Sequence, residues 1–356
     1  MRIALIGCGH IGTVHSFALK QLADAGEIDA RVVTTYDPDP ERAEKIAAPH
    51  GATAVAGIDE ACDGADVAWI CTWTSAHLPA VEAAVARRMP VFCEKPLAPT
   101  LADCERVATL METVPNQVGL VLRHAPVFAT VAEIVRSGRY GRPMAVTLRD
   151  DQYFPNQGMY GSTWRSDVTK AGGGALIEHS VHDVDVLRWI LGDPERVTAR
   201  TGSHFAHPGI EDAANVGFAY PDGTVATLVS VWHQVMTRPS TRRLEVLCEE
   251  AFCWTEDDHL GPLHVETSAG SEILMGDVPG YASRFQLPEV LAKSLAAYAE
   301  PAREFLTALA ADGADARGHP DVGVALAAHR LVDASYRSAA AGGEPIVLQP
   351  APPAAD

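Results

Sequence analysis

Lysine is scarce in this 356-residue chain: Lys20, Lys45, Lys95, Lys170 and Lys293 are the only ones among 28 Lys plus Arg. Cations of both kinds are outnumbered by 46 Asp plus Glu, which leaves a formal charge of -18. A surface of that sign repels polyphosphate and excludes a general nucleic-acid or anionic-membrane binder. It does not exclude a single phosphate-bearing ligand, because backbone N–H groups bind phosphate without basic side chains. No stretch reaches the roughly 18 apolar residues that a membrane-spanning helix needs, so no membrane partner is expected. No signal peptide is expected either, since MRIALIG runs straight into a glycine turn. The seven cysteines (8, 62, 71, 93, 104, 248 and 253) are odd in number and contain no CxxC pair, which argues against a disulfide framework or a cysteine metal site. Reduced, buried thiols of a cytoplasmic protein are the expectation. With 47% hydrophobic and 21% charged residues the chain is not generally disordered, and it is long enough for two domains. No internal repeat is visible.

What is present is a change of texture part-way along. Up to residue 122, short apolar runs (RIALIG, DARVVTTY, ADVAWIC, PVFCEKP, NQVGLVL) alternate with helical patterns. Nearly continuous apolar strands between helices suit an α/β, doubly wound parallel sheet covered on both faces. From residue 123 the pattern is α+β. RHAPVFATVAEIVRSG reads as a helix, and KAGGGALIEHSVHDVDVLRWILGD opens from glycines into one further helix. Between 195 and 256 come strands with hairpin turns, the signature of an antiparallel or mixed sheet. Residues 288–311 and 321–341 read as helices, and the proline-rich tail 349–356 as loose. The expected division is 1–122 and 123–356.

Gly7-Cys8-Gly9-His10-Ile11-Gly12 follows a strand and opens a helix, the context in which GxGxxG binds a dinucleotide. Gly7 permits the tight turn, Gly9 the approach of pyrophosphate, and Gly12 close helix packing. Asp37 closes the second strand 25 residues after Gly12, where a carboxylate accepts the ribose hydroxyls. An acid there favours NAD over NADP, although Arg42 in the same region keeps NADP as an alternative. A second local feature is a run of nine acids between Glu245 and Asp277 with no lysine or arginine. It reads first as a solvated strand edge and loop.

The glycine turn, Glu94-Lys95-Pro96, and Gly172-Gly173-Gly174 leading to Glu178 and His182 together resemble the glucose–fructose oxidoreductase, inositol dehydrogenase and MocA family over essentially the whole chain. The resemblance implies an NAD(P)-binding Rossmann domain and a substrate and oligomerisation domain on a large, mostly antiparallel open sheet. Homodimers or homotetramers formed through that sheet follow from it too. It also implies reversible hydride transfer between nicotinamide and a secondary alcohol of a sugar, amino sugar or inositol. Lys95 matches the lysine that contacts substrate and the nicotinamide ribose, with Glu94 beside it, and Pro96 shapes the backbone below. Glu178 stands where relatives carry aspartate, Ser180 where a glycine is common, and Thr72-Trp73 where Thr-Pro is usual. Thr72, Trp73 and His77 fall on the cofactor side. Trp164-Arg165 matches a recurrent dipeptide in the substrate region.

The chemistry agrees with that assignment. Oxidising a carbinol requires a base near neutral pH, which histidine supplies, and an ammonium to hold the hydroxyl. Read as one helix, Glu178, His182 and Asp185 share a face opposite the apolar stripe Ile177, Val181, Val184, Leu187 and Leu191. The residues alone leave His182 open between catalysis and an ordinary hydrogen-bonded position; the resemblance decides for acid/base. Lys95 then binds the hydroxyl, Glu178 orients substrate or histidine, and Asp185 supports them. Glu178, His179, His182 and Asp183 lack the spacing of a metal site, so none is expected. Arg123 and Tyr153 are further substrate candidates, with Asn156, Tyr160 and His233 weaker. Two other readings compete: NAD-assisted glycoside hydrolysis by transient oxidation, and a non-catalytic dinucleotide sensor or structural protein.

Overall fold

The structure is a computed structural model that describes residues 1–158, 160–275 and 280–348; Asp277 of the acidic run and the tail 349–356 lie outside the described residues. The chain forms two compact units. The first joins Met1–His124 with Thr169–Gly172 and Val278–Ala327, and the second joins Ala125–Val168, Gly173–Asp277 and Ala328–Asp356.

In the first unit, strands β1 (Arg2–Ile6), β2 (Arg31–Tyr36), β3 (Thr53–Ala54), β4 (Val67–Ile70), β5 (Val91–Cys93) and β6 (Asn116–Val118) form a parallel sheet in the order β3-β2-β1-β4-β5-β6. This is the doubly wound order in which a ligand binds beyond the strand ends where the winding reverses, here between β1 and β4. Helices α1 (His10–Asp24), α2 (Pro40–Ala47), α3 (Ile58–Cys62), α4 (His77–Ala86) and α5 (Leu101–Met111) link the strands. β4 is wholly buried and β1 nearly so, because helices cover both faces.

Where two consecutive segments were read from the sequence, the compact units are discontinuous. After a single α10 turn (Tyr281–Arg284), α11 (Glu289–Asp312) buries Ala292, Leu295, Ala296, Ala299, Ala302, Phe305, Leu306 and Leu309 in one core with Ala18, Leu19 and Leu22 of α1. The spacing of three and four is an apolar helical stripe that needs an apolar partner, and α1 supplies it. Which helix it meets is a long-range choice that periodicity does not encode.

In the second unit, nine strands form one sheet in the order β14-β13-β12-β11-β7-β10-β9-β8-β15. They are β7 (Pro143–Tyr153), β8 (Arg196–Gly202), β9 (Ala213–Ala219), β10 (Val225–His233), β11 (Thr241–Cys248), β12 (Ala251–Thr255), β13 (Leu263–Thr267), β14 (Gly270–Leu274) and β15 (Ile346–Val347). β7 and β10 pair in parallel at the centre and the other pairs run antiparallel. Alternate residues are buried on β7 (Val146, Leu148), β10 (Ala226, Leu228, Ser230, Trp232) and β11 (Leu244, Val246), the pattern of a sheet covered on one face. The described part of the acidic run begins at Glu245 on β11 and continues through β12 to β14 and their turns. Most of its carboxylates lie in solvent or pair at the surface, as Glu249 does with Arg142 and Glu272 with Arg139. Asp258 is the exception taken up below.

The single helix expected after the glycines is two: α8 (Ala175–Glu178) and α9 (Val181–Leu191), which follow α6 (Pro126–Ser137) and a short α7 (Val168–Ala171) in chain order. The N–H groups of His179 and Ser180 both return to the Ala175 carbonyl, at 3.2 and 2.9 Å, so the α8 ladder closes there and the helix restarts with Ser180 as its N-cap. The glycines permit close approach. A Cβ on Gly174 would lie 1.7 Å from the Glu211 carbonyl oxygen, and one on Gly173 2.6 Å from the Tyr336 hydroxyl. The buried Glu211 carboxylate accepts the N–H groups of Gly174 (2.7 Å) and Leu176 (2.9 Å) and the Tyr336 hydroxyl (2.9 Å), which caps α8.

Because the obstacle at Gly174 is backbone, Gly174→Ala is expected to destabilise the chain by about 2–4 kcal/mol. Thermal unfolding followed by circular dichroism tests this, and an unchanged midpoint would show that the close approach is not a constraint.

Candidate active site

The glycine turn sits between the ends of β1 and β4. Gly7 has φ +97°, and a Cβ there would lie 2.5 Å from the Cys71 carbonyl and the Thr72 nitrogen. A Cβ on Gly12 would lie 2.1 Å from the Gly7 oxygen, while one on Gly9 meets nothing within 4 Å. Two glycines therefore serve packing, and the third leaves open space at the N-terminus of α1, whose N-cap Gly9 offers no side-chain acceptor. That is the form of a phosphate cradle, and His10 and Ile11 begin the helix above it. Asp37 accepts the N–H of Cys8 at 2.8 Å and of Asp39 at 3.0 Å. A carboxylate has lone pairs beyond those two bonds, so the same bonds that hold Asp37 beside the turn leave it able to take hydroxyls. Burial, and then Asp37, pushes the Cys8 thiol up to about 12, which keeps it protonated inside the turn. These residues fit a dinucleotide.

Lys95 follows β5 in a built frame. The buried Glu94 carboxylate meets Nε2 of the buried His15 at 2.7 Å through Oε1 and accepts the Lys95 backbone N–H at 3.1 Å through Oε2. A Cβ on Gly119 would lie 2.5 Å from Glu94 Oε1, so glycine there makes room for the carboxylate. The Glu94 side chain is thus turned inward as a strut. His15 packs edge-on against Trp69, Phe92 and Tyr298, with Trp69 and Phe92 stacked at 4.0 Å. The Lys95–Pro96 peptide is cis. His77 is buried with Nδ1 2.8 Å from the Pro96 carbonyl and Nε2 3.1 Å from the Thr72 carbonyl. Burial lowers its pKa although both carbonyls favour the charged ring. The neutral ring has one N–H, so His77 donates to one of the two carbonyls at a time while lying between the loop after β4 and the loop after β5. Trp73 carries the Lys170 ammonium over its ring at 5.5 Å, and Arg123 lies 3.4 Å from Nε2 of His319. His15 was missed in the sequence; the only local signal is a histidine within the buried stripe of α1.

In the second unit His182 is buried in the first turn of α9. His182, Asp183 and Asp185 are all buried, as are Val181, Val184 and Val186, so this helix start is enclosed on every side and has no open acidic face. The interruption between α8 and α9 also removes the continuous helical register on which a shared face of Glu178 and His182 was read. Glu178 is buried and accepts from Arg165 Nε at 3.2 Å, and the Arg165 guanidinium lies 4.4 Å over the Trp164 ring. Trp164, Arg165 and Glu178 are thus brought together. Tyr153 ends β7, largely buried, with its ring 5.5 Å from Tyr160. His233 accepts the Val235 N–H on Nδ1 and turns Nε2 toward Asp151 at 3.7 Å. His179 and Asp183 belong to a buried network around Arg242, a residue that carries no functional signal in the sequence.

Among the described residues no helix is long and apolar enough to cross a membrane. Residues 1–121 match the model of an oxidoreductase family with an NAD-binding Rossmann fold, and residues 128–252 match the GFO/IDH/MocA C-terminal domain. Inositol 2-dehydrogenase of Rhizobium meliloti is 30% identical over 96% of this chain and 97% of its own. A myo-inositol dehydrogenase of Streptomyces leeuwenhoekii is 28% identical over 97% and 99%. The fold is also that of an oxidoreductase from Agrobacterium radiobacter crystallised with NAD+, L-tartaric acid and magnesium, with a TM-score of 0.78 and 20% identity over 98% of each chain. Glycine turn, framed lysine and full-length likeness lead to one conclusion: the chain belongs to the GFO/IDH/MocA family of NAD-binding oxidoreductases.

Proposed function

We propose that the chain oxidises a secondary alcohol of a sugar, amino sugar or inositol, with His182 as acid/base and Lys95 as hydroxyl binder. The observation that carries this reading is the frame of the first unit. α1 opens at the glycine turn and reaches through His15 to Glu94, whose other oxygen holds the Lys95 amide. Cofactor turn and lysine are thereby fixed relative to each other within one compact unit. The full-length likeness to an inositol 2-dehydrogenase supports the substrate class.

Bound NAD would supply the hydride acceptor at this site. Gly7, Gly9, His10, Ile11 and Gly12 would hold its pyrophosphate and Asp37 its adenine ribose, with Thr72, Trp73 and the Glu94–Lys95 backbone along the nicotinamide side. His77 serves that side from between the Thr72 and Pro96 carbonyls, donating to one of them. The Lys95 ammonium would hold the substrate hydroxyl and stabilise the alkoxide as it forms. His182 would take the hydroxyl proton. Glu178, neutralised by Arg165, sets the position of that guanidinium against Trp164, so the pair would grip ring hydroxyls. Arg123 and Tyr153 complete the substrate contacts in this reading.

The open face of the nine-stranded sheet supports self-association as a homodimer or homotetramer. Val225 and Leu247 both lie in register with Ala145 on that face and are 52% and 46% exposed, and Ile273 on β14 is 62% exposed. The seven free, buried cysteines support a reducing, cytoplasmic setting.

A screen of inositols, aldoses and amino sugars with NAD+ and NADP+, read at the reduced-nicotinamide band, tests the activity. Net reduced cofactor on a free polyol is expected; glycoside cleavage without net reduction would replace this reading. Lys95→Ala and His182→Ala are each expected to lower kcat/KM by about a hundredfold or more, and unchanged turnover in either removes its assigned role. Asp37→Ser is expected to raise KM for NAD+ relative to NADP+, and a preserved preference would show that Asp37 does not select the cofactor.

A further inference from the structure

The second unit buries a set of charges at the start of α9 that the proposed reaction does not use. The Arg242 guanidinium on β11 donates through Nε to Asp183 Oδ1 at 2.9 Å, and lies 3.5 Å from Asp150 Oδ2 and 3.4 Å from Asp258 Oδ1. Its Nη2 lies 2.8 Å from Nε2 of His179. A guanidinium only donates, so that Nε2 carries the lone pair of the ring. The His179 proton then sits on Nδ1, 3.0 Å from Asp150 Oδ2, and the ring is neutral. Three carboxyls thus surround one cation, an imbalance that a dry interior resists when all three are ionised.

Two observations locate a compensating proton. Asp150 and Asp183 converge on one cation, since both meet the Arg242 guanidinium, through Nη2 and Nε respectively. Asp150 Oδ1 and Asp183 Oδ2 are also buried oxygens with no hydrogen-bond partner among the described residues. A buried carboxylate oxygen that no donor reaches is where a proton relieves the uncompensated charge. Burial, then Asp150, pushes the Asp183 carboxyl up to about 7, and burial also raises Asp150. Although burial acts to raise it, Asp258 is held low by Arg242 and by His259. Tyr160 faces Arg242 and Asp258 from the loop after β7, and burial raises its hydroxyl.

The cluster grips the break between the two helices. His179 is held by Asp150 and Arg242; Ser180 donates to Asp150 Oδ2 at 3.0 Å and lies 2.7 Å from Ser230 Oγ; Asp183 is held by Arg242. His182 lies inside that span. We propose that Asp150 and Asp183 share one proton at neutral pH and that this pair, with Arg242 and His179, are positioning residues that fix where the helix bearing His182 begins. The positioning half rests on His182 as acid/base; the shared proton does not. Losing the proton sets two buried carboxylates against each other and loosens the segment.

Asp183 holds its proton more tightly folded than unfolded. Its contribution to stability is therefore complete below the ordinary carboxyl range near 4, and is lost as pH rises through about 7. Infrared spectra of the full chain across about pH 5 to 9 are expected to show a protonated-carboxyl band that titrates near neutrality and is missing from Asp183→Asn. A wild type without that band at neutral pH overturns the shared proton, whatever the activity. With NAD+ and a polyol the wild type turns over, Asp183→Leu is expected to lower kcat about tenfold or more while KM for NAD+ stays within about twofold. Asp183→Asn, which is neutral like the protonated carboxyl and keeps an oxygen for Arg242, should restore most of that loss and remove the wild-type ionisation from the kcat–pH profile. Equal kcat in the wild type and Asp183→Leu, or an unaltered ionisation in Asp183→Asn, overturns the positioning role. Should Asp183→Leu fail to fold, the Asp183→Asn profile alone decides. Turnover retained in His182→Ala would instead sink the acid/base assignment and leave the infrared result standing.

Discussion

Glu94 is buried at the end of β5 with His15 on one carboxylate oxygen and the Lys95 amide on the other, and the neighbouring residues are constrained by that arrangement. Gly119 must be glycine to leave the carboxylate its space. His15 must lie on the buried side of α1, which sets the rotation of the helix that opens at the glycine turn. Trp69 and Phe92 wall the pair off from water, so each partner depends on the other for its hydrogen bond. Removing one would leave a buried polar group unsatisfied, at a cost of about 1–3 kcal/mol or more for a charge. The pair thus couples the sheet, the glycine turn and the lysine.

The second unit follows the same logic with more charge. Burying a guanidinium among three carboxyls costs desolvation energy that close packing and full hydrogen bonding offset only when every member is in place. Apolar residues at those positions would fill the space without that cost, so stability alone gives no reason for the network. Its partners lie on β7, β10 and β11 and on either side of the break between α8 and α9. Only the native register of three strands brings them together, and the network opposes any slip.

Five of the six strands of the first sheet were legible in the sequence because each is part of a short apolar run between helical patterns, and the glycine turn lies where strand meets helix; the two-residue β3 was not read. The long-range choices were not. α11 and α12 (Val322–Ala340) read correctly as helices, but nothing in their periodicity says that α11 packs on α1. The break after Glu178 was missed because EHSVHDVD has an unbroken helical pattern, and what interrupts it is hydrogen bonding of Ser180 and His179 to strands far away in the chain. Asp258 reads as one more acid in a solvated run until β11 places Arg242 beside it.

The sequence by itself determined the fold class, the glycine turn and the residue types on which the proposed chemistry rests: a glycine-bounded turn with Asp37, one lysine after β5, and a histidine after the second glycine run. These are local, since a turn, a strand end and a short spacing each depend on a few neighbouring residues. The tertiary structure alone decided that Glu94 faces inward to His15, that His77 lies between two carbonyls, that Glu178 pairs with Arg165, and that Asp150 and Asp183 both meet Arg242. Each of those contacts joins residues from different elements, and burial then makes the contact obligatory, because a polar group taken out of water must find its partner within the fold.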